Sequence, residues 1–169
     1  MIATHSPDLI DAVARARAHS PFLAMLLDRE PDIEAAALDG RLADLPMFDP
    51  DLPTGVALRR ERRALALTVA LGDLSGLYDL TGVTRRLTDF ADAALERAIR
   101  AAILERTPDA EPVGFAAIAL GKQGSRELNY SSDIDPILLF DPQTLPRRPR
   151  EEPEEAAERI GKRVVQAKS

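Results

Sequence analysis

GFAAIALGKQGSRELNYSSDIDPILLFD, residues 114–141, decides how this chain is read. Val113, Phe115, Ala117, Ile118 and Leu120 make a short apolar run that Gly121 ends, the pattern of a strand. Gly124-Ser125 marks a turn, Arg126 to Asn129 a short helical stretch, and Ile134 to Phe140 a second strand. Asp133 and Asp135 stand two apart where that second strand opens. Alternate residues of a strand share a face, so both carboxylates are expected to point one way while Ile134 points into the core. Two carboxylates so placed suit a hard divalent cation, Mg²⁺ above all, holding the phosphates of a nucleotide. At Gly124-Ser125 the missing side chain lets a phosphate approach the backbone, and the serine hydroxyl and a helix N-terminus are expected to bind it. Taken singly, a pair of aspartates or a Gly-Ser turn is commonplace. The order strand, turn, short helix, acidic strand is far more specific.

Other chemistries fail on spacing. Gly121-Lys122-Gln123 does not supply the Lys-Ser/Thr that a Walker loop needs. Ile137 occupies the place of a third oxygen ligand in a calcium loop, and no glycine follows it. His5 and His19 are isolated, which leaves no catalytic triad or zinc cluster. Lys122 reads as an exposed loop residue that could also meet a phosphate.

Hydrophobic residues make up 45% of the chain and charged residues 30%, enough for a packed core and against disorder. A formal net charge of -6 argues against a broad basic face for nucleic acid. The chain has no cysteine, which excludes disulfides and thiolate metal sites and fits a cytoplasmic protein. No run reaches the ~18 apolar residues of a membrane span, so no membrane partner is expected.

Outward from the central stretch, the pattern is helical. Ser6-Pro7 and Ser20-Pro21 each read as an N-cap followed by proline in the first turn, opening helices toward Arg17 and across Leu23, Leu26 and Leu27. Pro31 restarts a helix to Leu38, which Gly40 stops, and Arg41 to Pro53 reads as a loop. Thr54 caps a helix over Gly55 to Leu71 whose Arg59–Arg63 run, with Glu61 inside it, reads as a solvated face; Gly72 and Gly76 break it. From Gly82 to Glu105, Val83, Leu87, Phe90, Ala94, Leu95, Ala98 and Ile99 form one apolar stripe, with Arg85/Asp89 and Glu96/Arg100 pairing outside it. After a proline- and arginine-rich loop, a last helix starts near Pro153 with Glu154 and Glu155 at its positive end.

GKQGSRELNYSSDIDPILLF, residues 121–140, closely resembles the nucleotidyltransferase motif of the glutamine synthetase adenylyltransferase family. LYDLTGVTRRLTDFADAALERAI, residues 77–99, resembles the helix that precedes this motif in the same family. The match runs over about Leu71 to Ile160, more loosely from Arg59, and the first ~50 residues carry no signature of their own. The resemblance implies an α+β fold: a helical region over 1–110, then from 111–169 the start of a polymerase-beta-like core, a small mixed sheet flanked by helices. It also implies a nucleotidyltransferase. One catalytic half of such enzymes adenylylates a tyrosine of glutamine synthetase with ATP, and the other removes the AMP by phosphorolysis, giving ADP. RELNYSSDID after an N-terminal helical region looks like the removing half. By that analogy Asp133 and Asp135 hold Mg²⁺ and Gly124 and Ser125 bind the nucleotide phosphate. Glutamine synthetase is then the protein substrate, with the regulatory protein PII acting through regions outside this chain.

Family members are several times longer, and their site takes a third carboxylate from a neighbouring strand. Asp141 lies roughly 20 Å along the same strand from Asp135, too far to serve. The chain is therefore expected to be a truncated piece, weak or inactive in isolation. Two alternatives stand beside this reading. One is a catalytically inactive remnant that acts only as a protein-interaction module. The other is a different nucleotidyltransferase of the superfamily, acting on a small molecule or on RNA ends; the acidic balance and the family-like preceding helix weigh against it.

Overall fold

The computed structural model describes residues 8–42 and 51–168. It is mostly helical with one small antiparallel sheet, an α+β chain. The chain divides into two compact units, Met1–Phe48 with Arg59–Leu87, and Asp49–Leu58 with Thr88–Ser169.

In the first unit, α1 (Leu9–His19), α2 (Pro21–Arg29) and α3 (Pro31–Leu38) follow one another with a single residue between each pair. Asp8 caps α1, its Oδ1 accepting from the Asp11 amide at 2.9 Å, while the expected Ser6-Pro7 cap lies outside the described residues. Ser20 caps α2 as expected, and Gly40, with φ of 75°, follows α3. Leu9, Val13, Leu26, Leu27 and Ile33 pack with Leu67 and Leu71 of α4 (Thr54–Leu74) into one core. At the surface, Arg17 joins Asp28 at 2.9 Å and Glu34 at 2.7 Å, tying the three short helices together.

Two local expectations change here. Gly72 does not break α4; it lies inside the helix because the Tyr78 ring rests on it, where a Cβ would come within 2.3 Å of Cδ2. The chain turns at Gly76 instead, with φ of 77°. Glu61 is not solvated but only 9% exposed, because α4 is buried around most of its circumference. Arg63 in the same run pairs with Glu30 at 3.3 Å.

In the second unit, the later part of α5 (Leu80–Arg106) meets β1 (Phe115–Ile118), a single helical turn α6 (Gly121–Gly124), β2 (Ile137–Phe140) and α7 (Pro153–Lys168). The core is Leu95, Ile99, Ile103, Leu145, Ile160 and Val164, with Phe115 and Ala117 against it. β1 and β2 pair antiparallel, Phe115 opposite Phe140 and Ile118 opposite Ile137, rather than in the mixed sheet expected. Directly opposed residues share a face. Ala117 and Leu138 therefore face the core, while Ile118, Ile137 and Leu139 on the other face are each 47% exposed. β2 starts at Ile137, not Ile134, because Pro136 has no N–H to give a ladder.

Candidate phosphate and metal site

The turn between the strands differs from its expected form. The helical residues are Gly121–Gly124, before Ser125 rather than after it, and Arg126 follows at φ of 62°. The Arg126 amide donates to the Gln123 carbonyl at 3.1 Å and the Glu127 amide to the Lys122 carbonyl at 2.7 Å. That pair of bonds is a Schellman ending, which closes a helix and turns the chain away from it. Helix cannot continue through Arg126 to Asn129 in that backbone state.

Gly124 and Ser125 therefore sit at the C-terminal end of α6. A Cβ on Gly124 would lie 2.7 Å from the Ala119 carbonyl oxygen, so glycine is needed for the turn to close on β1's exit. The Gly124 amide donates to Leu120 at 3.2 Å and the Ser125 amide to Gly121 at 3.0 Å. Both amides are engaged in the turn. The Ser125 hydroxyl is exposed and donates to Glu127 Oε2 at 3.0 Å.

Asp133 and Asp135 lie in the segment just before β2, outside the β1–β2 strands, and both are exposed. Exposure alternates from Ser132 to Leu139, with Ile134 half-buried between the two aspartates. An extended segment leading into a strand gives that alternation, so the two carboxylates share the outward side without a ladder. Asn129 and Ser132 fix the entry to this segment. Asn129 Oδ1 accepts from the Ser131 amide at 3.1 Å and the Ser132 hydroxyl at 2.8 Å, and Ser132 Oγ accepts from the Asn129 amide at 3.1 Å. Sequence reading missed both residues, although an Asn three residues before a Ser is a recognisable side-chain turn signal.

Asp141 has a different task. Its carboxylate accepts from the Gln143 amide at 2.9 Å and the Thr144 hydroxyl at 2.8 Å, and these bonds hold its pKa below the ordinary carboxylate range. Among the described residues no group of three or more His, Asp or Glu side chains is placed to hold a metal ion. The acidic set is a pair. Two exposed carboxylates fit Mg²⁺, which commonly takes one or two from protein and fills its octahedron with water and substrate phosphates.

Residues 10–169 match the glutamate-ammonia ligase adenylyltransferase family, and the chain belongs to that family. It is a family of nucleotidyl-transferring enzymes. A bifunctional glutamine synthetase adenylyltransferase/adenylyl-removing enzyme of Xanthobacter autotrophicus is 40% identical over 156 residues, 86% of this chain and 16% of the relative. The protein of that name from Bradyrhizobium diazoefficiens is 36% identical over 90% of this chain and 16% of its own length. That from Rhizobium meliloti is 33% identical over 95% of this chain and 18% of its own. The chain thus spans about one sixth of the relatives it matches. No solved structure matches. Among the described residues no helix is long and apolar enough to cross a membrane.

Proposed function

We propose that this chain carries the opening part of a nucleotidyltransferase core, from about residue 111, in the adenylyl-removing half of a glutamine synthetase-modifying enzyme. The observation that carries the reading is the exposed Asp133/Asp135 pair inside a family-matched segment. Asp133 and Asp135 would hold Mg²⁺, which neutralises charge on the transferring phosphoryl oxygens when bound. Ser125 would meet a phosphate through its hydroxyl, exchanging the Glu127 carboxylate for the ligand, and Gly124 lets the turn close beneath it. Glutamine synthetase is the protein substrate on this reading. Inorganic phosphate attacks the adenylyl phosphorus, the tyrosine oxygen leaves, and ADP is released. The reaction belongs in the cytoplasm, and PII acts through parts of the protein outside this chain. Turnover, as distinct from binding, needs an acidic group beyond the pair.

Mn²⁺ in place of Mg²⁺ tests the metal site by paramagnetic broadening of amide resonances. Broadening centred on residues 132–136 and lost in Asp133→Asn/Asp135→Asn is expected. Broadening centred elsewhere, or unchanged in that variant, overturns the assignment.

One observation favours a second reading, an interaction module. The sheet face of Ile118, Ile137 and Leu139 is apolar and half exposed, as docking faces are. Metal-independent binding of glutamine synthetase by a chain that binds no nucleotide would establish that reading in its place.

A further inference from the structure

Arg126 is a non-glycine residue in the left-handed region, at the Schellman position where helices usually carry glycine. An L side chain there is strained, and such strain persists only where surrounding structure over-determines the backbone. The determinants are on α5. One guanidinium nitrogen of Arg126 donates to Asp89 Oδ1, and another faces Asp92 Oδ2 at 3.6 Å. Asp92 is shared, since its Oδ1 accepts from Gln123 Nε2 at 2.8 Å. Gln123 is 3% exposed and lies on the α6 turn itself. On the far side of Arg126, the Leu128 amide donates to the buried Thr88 hydroxyl at 3.3 Å. Three successive parts of the loop are therefore fastened to one face of a long helix: the turn, the strained residue and the exit.

We propose that Arg126 is a positioning residue, clamped by Asp89 and Asp92 so that the Lys122–Glu127 turn is held in one conformation with the Ser125 hydroxyl presented for a phosphate. The phosphate part rests on the function proposed above; the clamp does not. A residue kept only for stability would be glycine here, because glycine adopts this backbone without strain. Arginine accepts the strain and adds a cross-link to α5. The bidentate reach of its guanidinium explains the choice, since one planar group addresses two carboxylates on successive turns.

The test compares the wild-type chain with Arg126→Gly and with Asp89→Asn/Asp92→Asn. Three quantities are read: the urea midpoint, hydrogen exchange at the Arg126 and Glu127 amides, and calorimetric affinity for ADP with Mg²⁺. In Arg126→Gly the midpoint is expected to hold or rise, because strain is relieved as the cross-link is lost. Exchange at the two amides is expected to quicken at least tenfold, and affinity for ADP to fall by at least tenfold. The double asparagine variant is expected to show the same exchange and affinity changes with arginine still in place. Unchanged exchange in both variants overturns the clamp. A midpoint lowered in Arg126→Gly, with exchange quickened throughout the unit, assigns Arg126 a merely structural role and also overturns it. Quickened exchange with unchanged ADP affinity overturns the positioning role. A wild-type chain that binds no ADP, yet whose variants loosen the turn, removes the nucleotide reading and the positioning role with it while leaving the clamp as observed.

Discussion

Gly114 lies so close to Leu145 that a Cβ on it would sit 2.5 Å from the Leu145 amide nitrogen. The contact is with backbone, which cannot swing aside as a side-chain tip can. Gly114 also has φ of 73°, a conformation that costs an L residue energy. Its carbonyl accepts from the Asp141 amide at 2.9 Å, which continues the β1–β2 pairing past the strand ends. Gly114→Ala is therefore expected to lower stability by at least ~2 kcal/mol. Urea denaturation checks this; a midpoint equal to wild type would mean that the Leu145 loop yields freely.

Glu151 is the hub of a second constraint in the same unit. Its side chain is 6% exposed, and it pairs with Arg106, itself 12% exposed, and with Arg159 at 3.4 Å. Burial pushes the carboxyl pKa up, but the Arg148 amide bond at 3.1 Å and the Arg106 guanidinium outweigh burial, so the net shift is downward. A carboxylate held below its unfolded pKa adds stability that is present above the ordinary glutamate range and is lost as pH falls through the folded value. Glu151→Gln leaves Arg106 without its charge partner and should cost ~3 kcal/mol at neutral pH. The penalty should shrink as pH falls past the ordinary glutamate range and through the lowered folded value, where wild-type Glu151 becomes protonated as well. Urea midpoints of both proteins across that range test the sign.

Ser20 offers a smaller, local test in the first unit. Its hydroxyl accepts from the Leu23 amide at 3.2 Å and satisfies one of the free donors at the start of α2. Ser20→Ala should cost ~1 kcal/mol. Ser20→Gly should cost only a few tenths. A smaller loss for Ala than for Gly would contradict the cap.

Much of the architecture was legible because its signals are local. Ser20-Pro21, Pro31 and Gly40 mark helix ends by backbone chemistry, and the stripe from Val83 to Ile99 shows α5 by spacing alone. The expected loss of α4 at Gly72 went wrong because only the distant Tyr78 ring explains a glycine in mid-helix. The apolar run from Ile134 suggests an earlier strand start than the structure has, because Pro136, which lacks an N–H for the ladder, limits β2 to Ile137 onward. At the candidate site, the alternation around Asp133 and Asp135 was readable from their spacing. The turn was not. Asp89 and Asp92 lie more than thirty residues before Arg126, and no local pattern shows that they decide its backbone. The pair foreseen for Asp89 was Arg85 on its own helix; Asp89 instead takes Arg126.

The most direct measurement of the proposed site is calorimetric titration of ADP into this chain, with and without Mg²⁺, beside Asp133→Asn/Asp135→Asn. Binding that requires Mg²⁺ and falls by at least tenfold in the double variant is the predicted result. Equal binding by both proteins, or none by a folded wild-type chain, would contradict a nucleotide site at Asp133 and Asp135.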